Sequence, residues 1–242
     1  MPGFGLMLAM ALSQFLPAEP VEPAPAGSVP RRSSRQVLAL SFGAAVWPGL
    51  RDLGRLQVAP GWAPFDEGGF TMEASYLYNA FYLHGAELLL GGSAGLITTR
   101  AGSPAGVPLN PAGQPVPGWW LTATSVFASV DTRLQASAGP FRPFASAGVG
   151  ATNLTMTVEE VGTWVPSVNS QDLFYRSRPM AWLGVGADYR FGPPEACWGL
   201  VAELRVQFVD MGASPSFASS AGTLQGPIYW FTLGGLFGWG GH

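Results

Sequence analysis

Lysine is absent from this 242-residue chain; all 12 basic residues are arginines. Cysteine occurs once, at Cys197, which excludes an internal disulfide framework and any cysteine-cluster metal site. Histidine occurs only at His84 and His242. Charged residues make up 11% of the chain, whereas a soluble domain usually carries about 25%. Something other than a charged surface must therefore meet the surroundings, and lipid is one candidate. The formal net charge of −3 gives no footprint for nucleic acid. Beyond the N-terminus no run of about 18 apolar residues appears, which argues against membrane-spanning helices. The 33 glycines and 22 prolines argue against long helices of any kind.

What is present is alternation, over a chain that is 48% hydrophobic. In Ile228–Trp239, Tyr229, Phe231, Leu233, Phe237 and Trp239 share one face, and Trp230, Thr232, Gly234, Leu236 and Gly238 share the other. A period of two marks a strand. Seven earlier segments repeat it: Gln36–Val46, Phe70–Asn79, Gly85–Thr99, Trp119–Arg133, Pro143–Val158, Tyr175–Phe191 and Trp198–Asp210. The phase is least clean in Trp119–Arg133, where a bulge near Ala128 is expected. Eight strands result.

Residues 1–18 read as an export signal, with an apolar core from Phe4 to Leu16 and cleavage after Ala18. Residues 19–35 form a Pro-rich leader that cannot pack a core. Residues 36–239 hold the strands. Their connections alternate in length. Trp47–Gly69, Arg100–Gly118, Glu159–Phe174 and Met211–Pro227 are long; Ala80–His84, Leu134–Phe141 and Gly192–Cys197 are short. This asymmetry predicts an eight-stranded antiparallel up-and-down transmembrane β-barrel with short periplasmic turns and long extracellular loops.

Charges inside the strands fall opposite the apolar face. They are Glu73, Glu87, Asp131, Asp188 and Glu203, with Arg133, Arg176, Arg178, Arg190 and Arg205. Arginine facing hydrocarbon costs about 2–4 kcal/mol at the midplane, so these side chains are expected to turn inward and pair. The arginine fork suits carboxylates. Eight strands enclose a lumen that side chains can just fill, so the expected interior is an ion-pair network rather than a wide pore. The small residues Gly91, Gly95, Gly148, Gly150, Gly184 and Gly186 are expected beside bulky partners such as Trp182 and Phe144. Aromatics near strand ends, among them Tyr78, Tyr82, Trp119, Trp120, Phe141, Tyr175, Tyr189, Phe191, Trp198 and Tyr229, would suit the two membrane interfaces.

Thr232, Gly234, Phe237 and Trp239 resemble the C-terminal assembly signal of bacterial outer-membrane β-barrels: a polar residue, a glycine two positions on, then two alternate aromatics. The stretches Pro143-Phe144-Ala145-Ser146-Ala147-Gly148-Val149-Gly150 and Leu183-Gly184-Val185-Gly186-Ala187-Asp188-Tyr189-Arg190-Phe191 are also typical. Residues 36–239 thus resemble the small Gram-negative barrels, of the OmpA-like transmembrane domain or porin-family outer-membrane β-barrel type. The resemblance implies the outer membrane as location and a structural or surface-interaction role. As partners it implies outer-membrane lipid, the barrel assembly machinery and an unidentified extracellular ligand at the loops. It implies a monomer, and neither nucleic acid nor a cofactor.

Two other function classes fit less well. Lipid A-modifying barrel enzymes place a histidine toward the outer leaflet, but His84 falls in an expected periplasmic turn and His242 is terminal. Glu159 and Glu160 are adjacent, so on a strand end they point apart. No catalytic residue and no metal site is expected. A soluble lipocalin-like carrier would need charge outside, and ten in-strand charges would have to cover the whole exterior. A narrow channel for small apolar or ionic solutes remains the functional alternative.

Overall fold

The computed structural model describes residues 34–53, 65–83, 85–103, 118–136, 139–161, 170–193, 196–209 and 227–240. The export signal, most of the leader, His84 and His242 lie outside them. Eight strands form one closed sheet: β1 (Gln36–Val46), β2 (Phe65–Leu83), β3 (Ala86–Ser103), β4 (Gly118–Ala136), β5 (Phe141–Val161), β6 (Ser170–Phe191), β7 (Ala196–Val209) and β8 (Ile228–Trp239). Each strand pairs antiparallel with its sequence neighbour, and β1 closes on β8 from Gln36↔Trp239 to Val46↔Tyr229. Around the closed ring each strand is paired on both sides, which is the condition for a sheet to survive in hydrocarbon, while residues 65–68 of β2 and 170–179 of β6 extend past the β1 and β7 registers.

Alternation decides which face turns inward. In β7 the burial pattern is strictly alternating over most of the strand, with Glu203, Arg205 and Gln207 inside and Leu200, Leu204 and Phe208 outside. In β2, Thr71, Glu73, Ser75, Leu77 and Asn79 face inward, while Phe70, Met72, Tyr76 and Tyr78 are exposed. The exterior is apolar along every strand; Val130 is 71% exposed and Val149 63%. A water-soluble monomer rarely leaves so continuous an apolar surface uncovered.

The strands exceed their expected lengths. A membrane crossing needs about 9–11 tilted residues, but β2 to β6 contain 19, 18, 19, 21 and 22 residues. β1, β7 and β8 are shorter, at 11, 14 and 12. The surplus extends the hairpins into the stretches expected to be loops, so the rim at the long-loop end is higher over β2–β6 than over β7, β8 and β1. At the other end the turns are tight. Gly85 (φ 79°) and Gly192 (φ 87°) supply the left-handed backbone those reversals need.

Three sequence expectations need correction. First, β4 pairs with β3 and β5 with no register shift, so there is no bulge near Ala128. The irregularities fall at Asp66/Gly68, Asn79/Phe81 and Met156/Thr157. β4 looked out of phase because Leu121, Ala123 and Phe127 face inward beside an equally apolar exterior. Second, the stretch Trp47–Gly69 is not wholly a loop. It opens with a short helix, α1 (Pro48–Leu53), and β2 already begins at Phe65. Pro48 suits the first helical position, where its missing N–H costs nothing. Third, the interior is not polar throughout. Its long-loop half holds an apolar cluster of Ile97, Leu121, Phe127, Leu154, Met156, Trp182, Ile228 and Trp230, joined by Trp47 after β1 and Leu50 of α1, with Thr71, Thr99, Ser125 and Thr152 also buried there.

Candidate functional site

The lumen is where the described residues gather unusual chemistry. Because side chains on every second position point inward, eight strands bring remote carboxylates and guanidiniums into one enclosed space. Glu73, Glu87, Asp131, Arg133, Asp188, Arg190, Glu203 and Arg205 are all buried there. Arg178, higher on β6, is half-buried. The side chain of Arg176 lies outside the described residues.

The charges assemble into two groups. In the first, Arg205 donates from Nη1 to Glu73 Oε2 at 2.7 Å and from Nη2 to Glu203 Oε2 at 2.9 Å. Glu203 also accepts from Ser146 Oγ and stands 3.7 Å from Arg133 Nη2. The two guanidiniums lie on aromatic faces, Arg205 3.8 Å from the Trp182 ring centroid and Arg133 3.9 Å from that of Phe144. Such stacking offsets lost hydration on the sides that carboxylates do not reach. Beside this group, Ser129 donates to Asp131 at 2.6 Å, while Trp182 Nε1 donates to Ser129 at 3.2 Å.

The second group lies nearer the short turns. Arg190 holds Asp188 through Nε and Nη2, at 3.2 and 2.9 Å, and reaches Gln135 Oε1 at 3.3 Å. Gln135 Nε2 donates to Glu87 at 2.9 Å, and Arg142 Nη1 approaches the same carboxylate at 3.3 Å. Beyond it, an apolar floor of Val37, Leu77, Leu89, Val201 and Leu236 surrounds Cys197, whose Sγ is 3.0 Å from Ser34 Oγ.

Glycines make room for the large members. A Cβ on Gly148 would come within 2.4 Å of Trp182 Nε1 and 2.5 Å of Asp131 Oδ1. A Cβ on Gly184 would come within 2.6 Å of Glu203 Oε1. The mixture of small and bulky inward positions is therefore packing around the ion pairs.

Sequence reasoning missed Arg142, Gln135 and Ser146. Arg142 shares the inward phase of Phe144 and Ser146, so starting that strand at Phe141 rather than Pro143 would have found it. Gln135 likewise continues the Asp131 and Arg133 phase past the expected strand end. Of the C-terminal signal residues, Thr232 and Gly234 turn inward and Phe237 and Trp239 outward. Among the exposed aromatics, Tyr78, Phe81, Tyr82, Phe141, Tyr189, Trp198 and Trp239 ring the short-turn end. The side chains of Trp119, Trp120, Tyr175, Glu159 and Glu160 lie outside the described residues. Among the described residues no cluster of histidine, cysteine and carboxylate is placed to hold a metal ion.

Closed antiparallel wall, apolar outside and ion pairs inside: this is the construction of a lipid-facing β-barrel. No protein-family model matches the chain, and no curated protein matches it. Among solved structures it is similar to the N-terminal β-barrel domain of Pseudomonas aeruginosa OprF, at 17% identity and TM-score 0.38, over 85% of this chain and 98% of that one. It is similar to Neisserial surface protein A, at 11% identity and TM-score 0.39, over 85% and 97%. It is also similar to the outer membrane protease OmpT from Escherichia coli, at 8% identity and TM-score 0.42, over 87% and 97%. At such identities the likeness is one of barrel architecture, and no activity or partner is carried over from it.

Proposed function

We propose that this chain is a bacterial outer-membrane barrel with a structural or surface-interaction role, its lumen closed by the ion-pair network rather than open as a pore. The observation that carries this is the bridge from Arg205 on β7 to Glu73 on β2, with Glu203 completing the clamp. The strands β8 and β1 lie between β7 and β2 around the wall, so the bridge runs through the space a permeating ion would need. Ions passing there would have to break contacts made in a dry, low-dielectric interior.

The proposal includes no catalytic step. Neither histidine lies in the described lumen, and its buried carboxylates are occupied by arginine, glutamine or serine partners. Specificity toward an outside partner belongs to the long loops, which lie largely outside the described residues. Barrel lipid and the assembly machinery are the partners the proposal requires.

Planar-bilayer conductance tests the closed lumen against the narrow-channel reading. The wild-type barrel should pass no steady current. The variant Arg133→Ala with Arg205→Ala, which removes two guanidiniums from the constriction, should conduct if it folds. Steady ion-selective current through the wild type would instead establish a channel.

A further inference from the structure

Directly above the charged layer, three polar groups are buried with nothing to bond. Gln207 is 0% exposed, and neither its Oε1 nor its Nε2 has a hydrogen-bond partner. Trp230 Nε1 and Arg205 Nε are likewise unpartnered. These residues are neighbours. Arg205 stands opposite Trp230 in the β7–β8 register, and Gln207 is the next inward position on β7, opposite Ile228 on one side and Trp182 on the other. An unmade buried hydrogen bond costs about 1–3 kcal/mol, so a native interior rarely leaves an entire carboxamide unused.

The surroundings are mostly apolar, and the buried hydroxyls of Ser125 and Thr152 bond each other. Ile228, Trp182 and Trp230 belong to the tier that fills the long-loop half of the lumen, and that tier is completed by Trp47 and Leu50. Trp47 directly follows β1 and Leu50 lies in α1, and Leu50 N–H holds the turn by donating to Trp47 O at 3.0 Å. A greasy chamber with a few convergent polar groups at its base is the usual form of a small-molecule site. Here its upper part is filled by Trp47 and Leu50, which follow β1 and are buried in the same cluster.

We propose that the upper lumen is a binding site for a small neutral amphiphile, whose alkyl part replaces Trp47 and Leu50 and whose carbonyl or amide head meets Gln207 and Trp230. The free groups are mostly donors, which calls for an acceptor such as a carbonyl oxygen, and Gln207 Oε1 takes an N–H in return. A carboxylate head does not fit, because Arg205 already serves Glu73 and Glu203, and a third anion would meet repulsion without hydration. The ion pairs below make the site a dead end, so the barrel binds the amphiphile and does not conduct it.

The test is octanamide titrated into the full-length barrel in lipid nanodiscs, read by amide and indole N–H NMR. Partitioning into lipid leaves the Trp230 indole and Gln207 carboxamide signals unmoved, whereas occupancy shifts both saturably. Trp47→Ala, which frees apolar volume, should lower the midpoint several-fold. Gln207→Leu should abolish the saturable Trp230 shift, while gel mobility shows that the barrel remains folded. Octanoate should bind at least tenfold more weakly than octanamide. No saturable shift in either wild type or Trp47→Ala, with the Gln207 amide instead contacting water, would show an enclosed water only and overturn the proposal. Unchanged binding in Gln207→Leu would overturn it equally. Conductance of the wild type, by contrast, would overturn the closed lumen and leave these shifts intact.

Discussion

Arg205 and Glu73 are joined at 2.7 Å across 132 positions of sequence. Their strands flank the β8–β1 pair, where the first and last strands meet to close the barrel. The bond is thus a brace across the seam: it ties β7 to β2 over the one strand pairing that no hairpin enforces.

The brace predicts strong coupling. Arg205→Met leaves Glu73 without its cation and Glu203 with only the longer 3.7 Å pair to Arg133, and should cost about 3–5 kcal/mol in urea unfolding from bilayers. Glu73→Gln alone should cost less, because Arg205 keeps Glu203. The double variant should be more stable than the sum of the two losses by about 0.5–3 kcal/mol. Strict additivity would remove the brace from the account.

The glycine seats predict a size limit inside the wall. Gly148→Val should lower stability by about 1–3 kcal/mol through overpacking, since its Cβ would overlap Trp182 and Asp131. Gly235→Val is the matched control, with no atom within 4 Å of the added Cβ. Equal midpoints for the two variants would mean that Gly148 is not packed as described.

The apolar belt predicts a penalty that a soluble barrel would not show. Val130 lies on the apolar exterior face of β4 beside Val149 of β5 and is 71% exposed. Val130→Arg should cost about 2–4 kcal/mol for a membrane barrel, measured by reversible unfolding from lipid vesicles. A water-facing site would tolerate the change with almost no loss.

Cys197 predicts protection at the short-turn end. The residue is 6% exposed and its Sγ is 3.0 Å from Ser34 Oγ. As the chain's single cysteine, it gives an unambiguous labelling readout. Maleimide should label the folded barrel far more slowly than the boiled, detergent-unfolded chain. Equal rates would show that this end stands open.

Strand number and inward phase were legible in the sequence, because alternation is local and each strand had only one face fit for hydrocarbon. Two features were hidden for the opposite reason. The apolar upper tier puts Leu121 and Phe127 inside a strand that is also apolar outside, which erases the period. Trp47, just after β1, and Leu50 of α1 enter the lumen, and nothing in a short Pro-Gly-Leu stretch distinguishes an inward-turned segment from a surface loop. The pairing pattern was illegible too. Which carboxylate Arg205 takes depends on register and side-chain reach across several strands, and Arg142 lay one residue beyond the expected start of its strand.

The most direct test of a lipid-facing barrel with a braced interior is gel mobility of the outer-membrane fraction, with and without boiling in detergent. A closed wall held by ladder hydrogen bonds and buried ion pairs should survive the unboiled detergent, so the protein should run as two species, the unboiled one compact. A single mobility under both conditions, with the protein recovered from the soluble periplasmic fraction, would contradict the membrane barrel and favour a soluble carrier.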